Sequence, residues 1–364
     1  MSSAKQLPGS TFELSPTERL LQLMNDQGLA QELKTNQIVA LTPDASTRNY
    51  FRIPWKKSKA VAAVYPDPFD PEIHPYLDVT RLFLDSEIPV PEIYAVDGAH
   101  GIIVQEDLGD RQLCRVYETS TEEEAEEYRE RAIKIIAQIQ AATEKAVESN
   151  SISSRLAFDE AKLSWELDFF VEHYFQSLRG ETLRRSEAAE LKTELNDIAA
   201  ELSAAPRVLC HRDFHTANLM LDDRNHLRVV DHQDARMGPA SYDLVSLLLD
   251  RQPVAPTLAE LRDCRLLLLE ERRRQGLVVL DPDEFAQEFR LMTIQRGLKA
   301  IGTFSYQTAV SGRGVFYEHF IPPTLLIVLQ AAEWLERFPT LRGMITARLN
   351  GKPCLSNPEP GSQN

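Results

Sequence analysis

One short stretch of the chain carries polar side chains at a spacing that suits phosphoryl transfer. Asp213 is followed five residues later by Asn218, and Asp231 comes thirteen residues after that. In such a set the first carboxylate can accept the proton of an attacking hydroxyl, while the amide and the second carboxylate hold Mg²⁺ against the phosphates of ATP. Oxygen ligands suit Mg²⁺, which keeps several waters and shares its other positions with the nucleotide.

The flanking residues predict the elements that position this set. The apolar run 208–210 is typical of a short buried strand that leads into the loop. Two further apolar runs, 219–221 and 227–230, are separated by polar residues, and this pattern predicts a hairpin. The hairpin would fold Asp231 back beside Asn218, which the sharing of one metal ion requires.

Composition narrows the class of protein. With 364 residues, of which 43% are hydrophobic and 26% charged, the chain is long enough for two globular lobes. Its net charge of −15 argues against binding to nucleic acid or to anionic membranes. The start of the chain lacks a secretory apolar core and the four cysteines show no paired spacing, so we expect a cytoplasmic protein without disulfides or a zinc site. We expect it to be a monomer.

The pattern of apolar residues changes along the chain. Short β-like runs with one intervening helix predict a β-rich lobe over residues 13–107, and helical periodicity then predicts a mainly helical lobe over 108–350. Ser15 and Glu18 form a capping box at the start of the first helix. The polar ends, 1–12 and 353–364, are expected to be flexible tails.

Four segments together resemble a known family, and they are residues 44–52, 106–109, 211–218 and 231–235. The arrangement is similar to the aminoglycoside phosphotransferase family, and most similar to its bacterial branch of anomeric kinases for N-acetylmuramate and N-acetylglucosamine. The resemblance implies an α+β, protein-kinase-like fold of two lobes, a β-rich, nucleotide-binding N-lobe over residues 13–107 and a mainly helical C-lobe for catalysis and substrate over 108–350. It also implies that the chain uses ATP and Mg²⁺.

The same resemblance implies a nucleotide site. The backbone carbonyl of Gln105 and the backbone amide of Asp107 would hold the adenine base. The turn with Ser46, Thr47 and Arg48 would cover the phosphates, with Arg48 or Arg52 adding positive charge.

Roles for the remaining site residues follow from the family pattern. Asp213 would be the base, His211 would brace the loop, and Asp243 would tie down the loop backbone. The sugar acceptor needs directed hydrogen bonds, and a lactyl carboxylate would need a cation in addition. The residues available for these contacts are Glu166, Arg236 and Arg296. For each of these three, a salt bridge at the surface or between helices is the simpler interpretation.

The expected activity is the transfer of phosphate from ATP to the anomeric hydroxyl of either amino sugar, giving sugar 1-phosphates for cell-wall recycling. An aminoglycoside or choline-type kinase of the same fold is an alternative. A second alternative is a pseudokinase that binds nucleotide without turnover, because the strand over 60–65 lacks the lysine of protein kinases and Lys56, Lys57 and Lys59 fall in the preceding turn. The complete set Asp213, Asn218 and Asp231 favours an enzyme.

Overall fold

The computed structural model describes residues 14–29, 38–41, 48–250, 256–312 and 317–351. Contacts divide the chain into two compact units, unit 1 with residues 1–119 and 217–233, and unit 2 with residues 120–216 and 234–364. Residues 217–233, which sequence patterns assign to the second lobe, thus belong to unit 1. The tails expected over 1–12 and 353–364 lie outside the described residues.

The strands are β1 (Val39–Leu41), β2 (Asn49–Trp55), β3 (Ser58–Val64), β4 (Ile93–Asp97), β5 (Ile102–Glu106), β6 (Arg207–Cys210), β7 (Leu219–Leu221), β8 (Leu227–Val229) and β9 (Arg236–Pro239). The α-helices are α1 (Pro16–Asp26), α2 (Pro75–Asp85), α3 (Leu113–Tyr117), α4 (Glu122–Ala141), α5 (Thr143–Glu148), α6 (Ile152–Arg155), α7 (Glu160–Phe170), α8 (Arg185–Ala204), α9 (Tyr242–Leu249), α10 (Leu258–Arg274), α11 (Pro282–Ala309), α12 (Ile321–Trp334) and α13 (Pro339–Leu349). A π-helical segment covers Val171–Leu178, and 3₁₀ turns cover Thr216–Asn218 and Glu318–Phe320.

Unit 1 is built on an antiparallel sheet of five strands in the order β1-β2-β3-β5-β4. Helix α1 covers the sheet and inserts Leu20 and Met24 into a core that also contains Ile53 and Val104. The capping box at its start is confirmed, because Ser15 accepts from the amide of the third helical residue and the side chain of that residue accepts from the Ser15 amide. This packing holds β2 and β3 rigidly.

One detail of the sheet corrects the sequence analysis. Strand β3 begins at Ser58, so Lys59 is not in the turn but lies in the strand, paired with Pro54. Its side chain is exposed at the end of the β2–β3 hairpin. The tight turn uses only two residues, of which Lys56 has a φ of +52°, and for this reason the strand starts earlier than the apolar pattern indicates.

The predicted hairpin is confirmed as β7 and β8, which pair Leu219 with Val229. The backbone amide of Val230 donates to the carbonyl of Asn218 at 3.0 Å and closes the hairpin. Two contacts fix the hairpin to the rest of unit 1. The amide of Val229 donates to the carbonyl of Pro89 at 2.8 Å, and Arg228 forms an ion pair with Glu106 at the end of β5.

Unit 2 is mainly helical and centres on α11, a helix of 28 residues that packs against α7, α9 and α12. A Cβ added at Gly302 would come within 2.8 Å of the Phe170 backbone, so this glycine allows α11 to cross the end of α7 closely. Strands β6 and β9 form an antiparallel pair that opposes Cys210 to Arg236. In this pair, whose second strand the sequence patterns missed, β6 leads directly into the loop containing Asp213.

Candidate active site

Asn218 and Asp231, the two candidate metal ligands, lie together at the open end of the β7–β8 hairpin in unit 1. The Asn218 amide group donates to Asp231 Oδ2 at 3.5 Å, and Gln233 donates to the other carboxylate oxygen at 2.9 Å. The backbone of Asp231 has a φ of +64°, a strained conformation for a residue with a side chain. The Asp231 side chain is 46% exposed, so its oxygens are accessible to a ligand.

The donor set of this pair fits Mg²⁺. An exposed carboxylate beside an amide supplies the hard oxygen ligands that Mg²⁺ prefers. Among the described residues, no group of three or more His, Cys, Asp or Glu side chains is gathered closely enough to hold a metal ion. Two oxygen ligands of this kind suit a Mg²⁺ ion that takes its remaining ligands from phosphates and water.

Arg48 is the cation that unit 1 places beside this pair. Its Nη2 atom lies 4.0 Å from Asp231 Oδ1, and its Nη1 atom donates to the Tyr65 hydroxyl at 3.4 Å. The guanidinium also lies over the rings of Tyr50 and Tyr65, at 5.7 and 5.5 Å from their centroids. The other residues predicted to bind phosphate, Ser46 and Thr47, lie outside the described residues.

A cavity of about 350 Å³ in unit 1 borders Gln105 and Asp107. Apolar side chains of the sheet and of the hairpin line it, among them Leu41, Val61, Met220 and Val230. The cavity thus combines apolar walls with the backbone of the segment after β5, which is the environment that a planar base needs. The Gln105 side chain itself is used elsewhere, because it accepts from the Tyr76 hydroxyl at 2.6 Å.

Arg52 belongs to the rim of this cavity and not to the Asn218–Asp231 pair. Its guanidinium donates to Asp110 at 2.8 Å and to Asp107 at 3.0 Å. The hydrogen bonds to Asp110 and Asp107 raise the pKa of Arg52 above its usual value. Arg52 therefore joins β2 to the segment after β5, and Arg48 is the arginine near Asp231.

Asp213 lies in unit 2 and is surrounded by positive charge. One carboxylate oxygen is 3.5 Å from Arg296 Nη2 and 3.8 Å from Lys299 Nζ, and the other is 3.7 Å from Arg212 Nη1. Burial opposes ionisation of this carboxyl, but Lys299, Arg212 and Arg296 outweigh burial and hold its pKa far below the usual value. Asp213 is therefore an anion at every physiological pH.

Hydrogen bonds from the rest of unit 2 fix the backbone around Asp213. The amides of His211 and Arg212 donate to the two oxygens of Asp243, at 2.7 and 3.0 Å. Arg296 donates to the Arg212 carbonyl at 2.8 Å. Arg212 has a φ of +86°, and these bonds on both sides hold it in that conformation. His211 is fully buried and packs edge-on against Phe214.

The three residues expected to contact the acceptor occupy different environments. Arg296 is only 2% exposed. Its guanidinium donates to Asp250 and Ser246 as well as to the loop, so its hydrogen bonds are made within the protein. Glu166 is also 2% exposed and accepts from Gln295 at 2.9 Å. Arg236 is partly accessible and lies 3.6 Å from Asp234.

Lys299 and Lys162 are charged residues of this region that the sequence analysis did not single out as site residues. Lys299 follows Arg296 by three positions on α11, a spacing that places both side chains on one helix face. Lys162 precedes Glu166 by four positions on α7, and its Nζ lies 3.5 Å from the carboxylate. Both spacings were visible in the sequence once the helices were assigned.

Within the described residues no helix has both the length and the apolar character that crossing a membrane requires.

The chain matches the phosphotransferase enzyme family, APH, over residues 37–275. It is 31% identical over 264 residues to an N-acetylmuramate/N-acetylglucosamine kinase of Neisseria meningitidis, covering 72% of this chain and 76% of that protein. A Pseudomonas aeruginosa protein of the same name is 29% identical over 276 residues, or 75% of this chain and 78% of that protein.

A choline kinase of Cryptosporidium parvum, 14% identical, aligns with 91% of this chain and 99% of that chain at a TM-score of 0.59. This likeness confirms the predicted α+β, protein-kinase-like fold. The family match covers well over half of the chain. It includes the four segments on which the sequence resemblance rests, and it confirms that resemblance. The chain belongs to the phosphotransferase enzyme family and is a phosphotransferase.

Proposed function

We propose that this enzyme is an ATP-dependent sugar kinase that phosphorylates the anomeric hydroxyl of N-acetylmuramate, N-acetylglucosamine or both. The products are sugar 1-phosphates, formed in the cytoplasm during the recycling of cell-wall sugars. The names of the relatives from Neisseria meningitidis and Pseudomonas aeruginosa support the choice of these sugars.

The observation that carries the proposal is the Asn218–Asp231 pair with Arg48 beside it, in the unit that also contains the cavity at Gln105 and Asp107. Unit 1 thus offers the features that Mg·ATP requires, which are a slot for the base, oxygen ligands for the metal and a cation for the phosphates. Bound Mg²⁺ would neutralise the charge that develops on the transferred phosphoryl group. In the absence of a lysine in the middle of β3, Arg48 would supply the positive charge that contacts the phosphates.

Asp213 would orient the acceptor hydroxyl and take its proton. The acceptor oxygen forms the new bond to phosphorus, the bond between phosphorus and the ADP oxygen breaks, and the proton passes to Asp213. Because the surrounding cations lower the pKa of Asp213, the carboxylate is a weak base. A weak base suits a loose transition state, in which the hydroxyl needs to lose its proton only late in the reaction. Orientation is therefore the larger part of its role.

The charge around Asp213 also bears on the alternative acceptors. Lys299, Arg212 and Arg296 gather beside this carboxylate. A choline or aminoglycoside acceptor would bring further positive charge to that group of cations. The environment of Asp213 therefore favours a neutral or acidic acceptor over a cationic one.

The test is ³¹P NMR of the enzyme with Mg·ATP and each amino sugar. A product doublet split by the anomeric proton, and lost in mild acid, is the expected result. An acid-stable 6-phosphate would preserve the sugar kinase and overturn the anomeric assignment. If neither sugar gives a product while ATP still binds tightly, the sugar assignment fails, and choline and aminoglycosides become the next acceptors to measure.

A further inference from the structure

A cluster of charged side chains in unit 2 extends from Asp213 along the start of β9 and the first turns of α7. Arg212 Nη1 lies 2.7 Å from Asp234, and Arg236 Nη2 lies 3.6 Å from the same carboxylate. On α7, Lys162 Nζ lies 3.5 Å from Glu166. We call Lys162, Arg212, Arg236, Glu166 and Asp234 the basic cluster.

The cations of the basic cluster repel one another. Burial lowers the pKa of Lys162, and although Glu166 raises it, Arg212 and Arg236 lower it further. Burial likewise lowers the pKa of Arg236, and repulsion by Arg212 adds to the effect. Gathering like charges in a half-buried place costs free energy. The protein has a net charge of −15, so its sequence offers many carboxylates that could have neutralised these cations.

The ion pairs in this region leave an excess of positive charge. With Lys299, the cluster contributes four cations, and the ion pairs described join them to three carboxylates, those of Asp213, Glu166 and Asp234. Arg296 is balanced separately by Asp250. Glu166 is buried and its Oε1 has no hydrogen-bond partner, so it fixes Lys162 only by the contact of 3.5 Å. A single added anion would balance the set.

The aromatic neighbour of the cluster is suited to a sugar. The Trp165 side chain is 57% exposed, and the Lys162 ammonium lies 4.1 Å from the centroid of its ring. The flat face of an indole can pack against the apolar face of a pyranose, and the adjacent ammonium group carries three hydrogen-bond donors.

We propose that the basic cluster, through Lys162 and Arg236, is a subsite for the carboxylate of an acidic amino sugar, and that it makes the enzyme prefer N-acetylmuramate over N-acetylglucosamine. This inference rests on the proposed function, because it assigns the acceptor of the same reaction. The two sugars differ by the lactyl group, whose carboxylate is an anion at neutral pH. Lys162 and Arg236 are the cations of the cluster that do not contact Asp213 in the ion pairs described, so they are placed for a group remote from the reacting hydroxyl.

The experiment compares the two sugars in the full-length enzyme and in Lys162→Gln and Arg236→Gln. The ratio of kcat/KM for N-acetylmuramate to kcat/KM for N-acetylglucosamine is expected to fall about tenfold to a hundredfold in each variant, the effect of removing a charge-assisted hydrogen bond. Lys192→Gln is the matched control, because it removes an exposed lysine paired with Asp168 of the same helix α7, and it should leave the ratio unchanged. Thermal unfolding establishes that each variant is folded.

A ratio that stays constant overturns the subsite while leaving the sugar kinase intact. An equal fall for both sugars with a higher KM for ATP also overturns it, since the cations would then serve the transferred phosphoryl group. If the native enzyme phosphorylates neither sugar, the proposed function fails, and calorimetric titration with both sugars still decides the subsite. Tighter binding of the acid that is lost in the two variants supports the subsite, and equal or absent binding of the acid by the native enzyme refutes it.

Discussion

Asp213 and Asp231 belong to one motif, yet the protein surrounds them in opposite ways. Asp213, in unit 2, is 24% exposed and has Arg212, Arg296 and Lys299 within 4 Å. Asp231, in unit 1, is 46% exposed, and its described ion pair is the one to Arg48 at 4.0 Å. Among the described residues, three cations lie close to Asp213, whereas the ion pair of Asp231 is with a single arginine.

The difference separates two ways of using a carboxylate. A carboxylate held among fixed cations is preorganised and has a low affinity for protons, which suits the orientation of a neutral hydroxyl. A carboxylate with an exposed side chain and one distant arginine retains its negative charge for an added cation. Substitution at the two positions should therefore affect different steps of the proposed reaction.

The largest effect is expected from Asp213→Ala. Turnover should fall about a hundredfold to ten-thousandfold, the usual contribution of a positioned general base, while binding of Mg·ATP is retained. The measurements are ADP release with the sugar acceptor and nucleotide binding by fluorescence. Loss of nucleotide affinity together with turnover would contradict the division between the two aspartates.

A smaller effect of a different kind is expected from Asp231→Asn. Removing the exposed carboxylate weakens the binding of Mg·ATP, by about tenfold or more, because a negatively charged ligand of the metal is lost. Part of the loss should be recovered by raising the Mg²⁺ concentration in a titration of activity. Asp213→Asn is the matched control, and its activity should not recover with Mg²⁺. Equal responses of the two variants to Mg²⁺ would show that the motif works as one undivided site.

Much of this contrast could not be deduced from the sequence. The hairpin was predictable because two apolar runs flank a polar turn, and it brings Asn218 to Asp231 as expected. Two of the three cations around Asp213, Arg296 and Lys299, come from α11, more than eighty residues later in the chain, and only the packing of α11 decides which of its residues face the loop. Arg296, a candidate for substrate contact, pairs with Asp250 at the end of α9, which agrees with the simpler interpretation of a salt bridge between helices.

Substitutions of Arg48 and Arg52 test which of the two arginines binds the phosphates of ATP. Arg48 directly precedes β2 and Arg52 lies in the middle of this strand; Arg48 approaches Asp231, whereas Arg52 is held by Asp107 and Asp110. Arg48→Gln should raise the KM for ATP about tenfold, the effect of losing one charge-assisted contact to phosphate. Arg52→Gln is the control, since its loss should alter the affinities for ATP and for adenosine alike. If Arg48→Gln also weakens adenosine binding, Arg48 acts on the base cavity and not on the phosphates.

The smallest effect, and the one most specific to Asp213, concerns pH. Lys299 is the strongest of the cations that lower the pKa of Asp213, so Lys299→Met should raise that pKa towards its ordinary value. An opposite charge at this distance shifts a carboxyl pKa by about one to three units. Any loss of kcat/KM that comes from protonation of Asp213 should therefore begin at a higher pH in the variant. The pH dependence of the free energy of unfolding should change as well. A carboxyl whose pKa is lowered by folding stabilises the native state above its unfolded pKa, and this contribution is lost as the pH falls. With Lys299 removed, this contribution is smaller; its loss still begins near the unfolded pKa but is complete at a higher pH. The measurements are pH profiles of kcat/KM and of thermal unfolding, with Lys192→Gln as the charge-matched control.

An acid limb that does not move would mean that Arg212 and Arg296 suffice to keep Asp213 ionised, and that Lys299 serves the acceptor or the phosphoryl group instead.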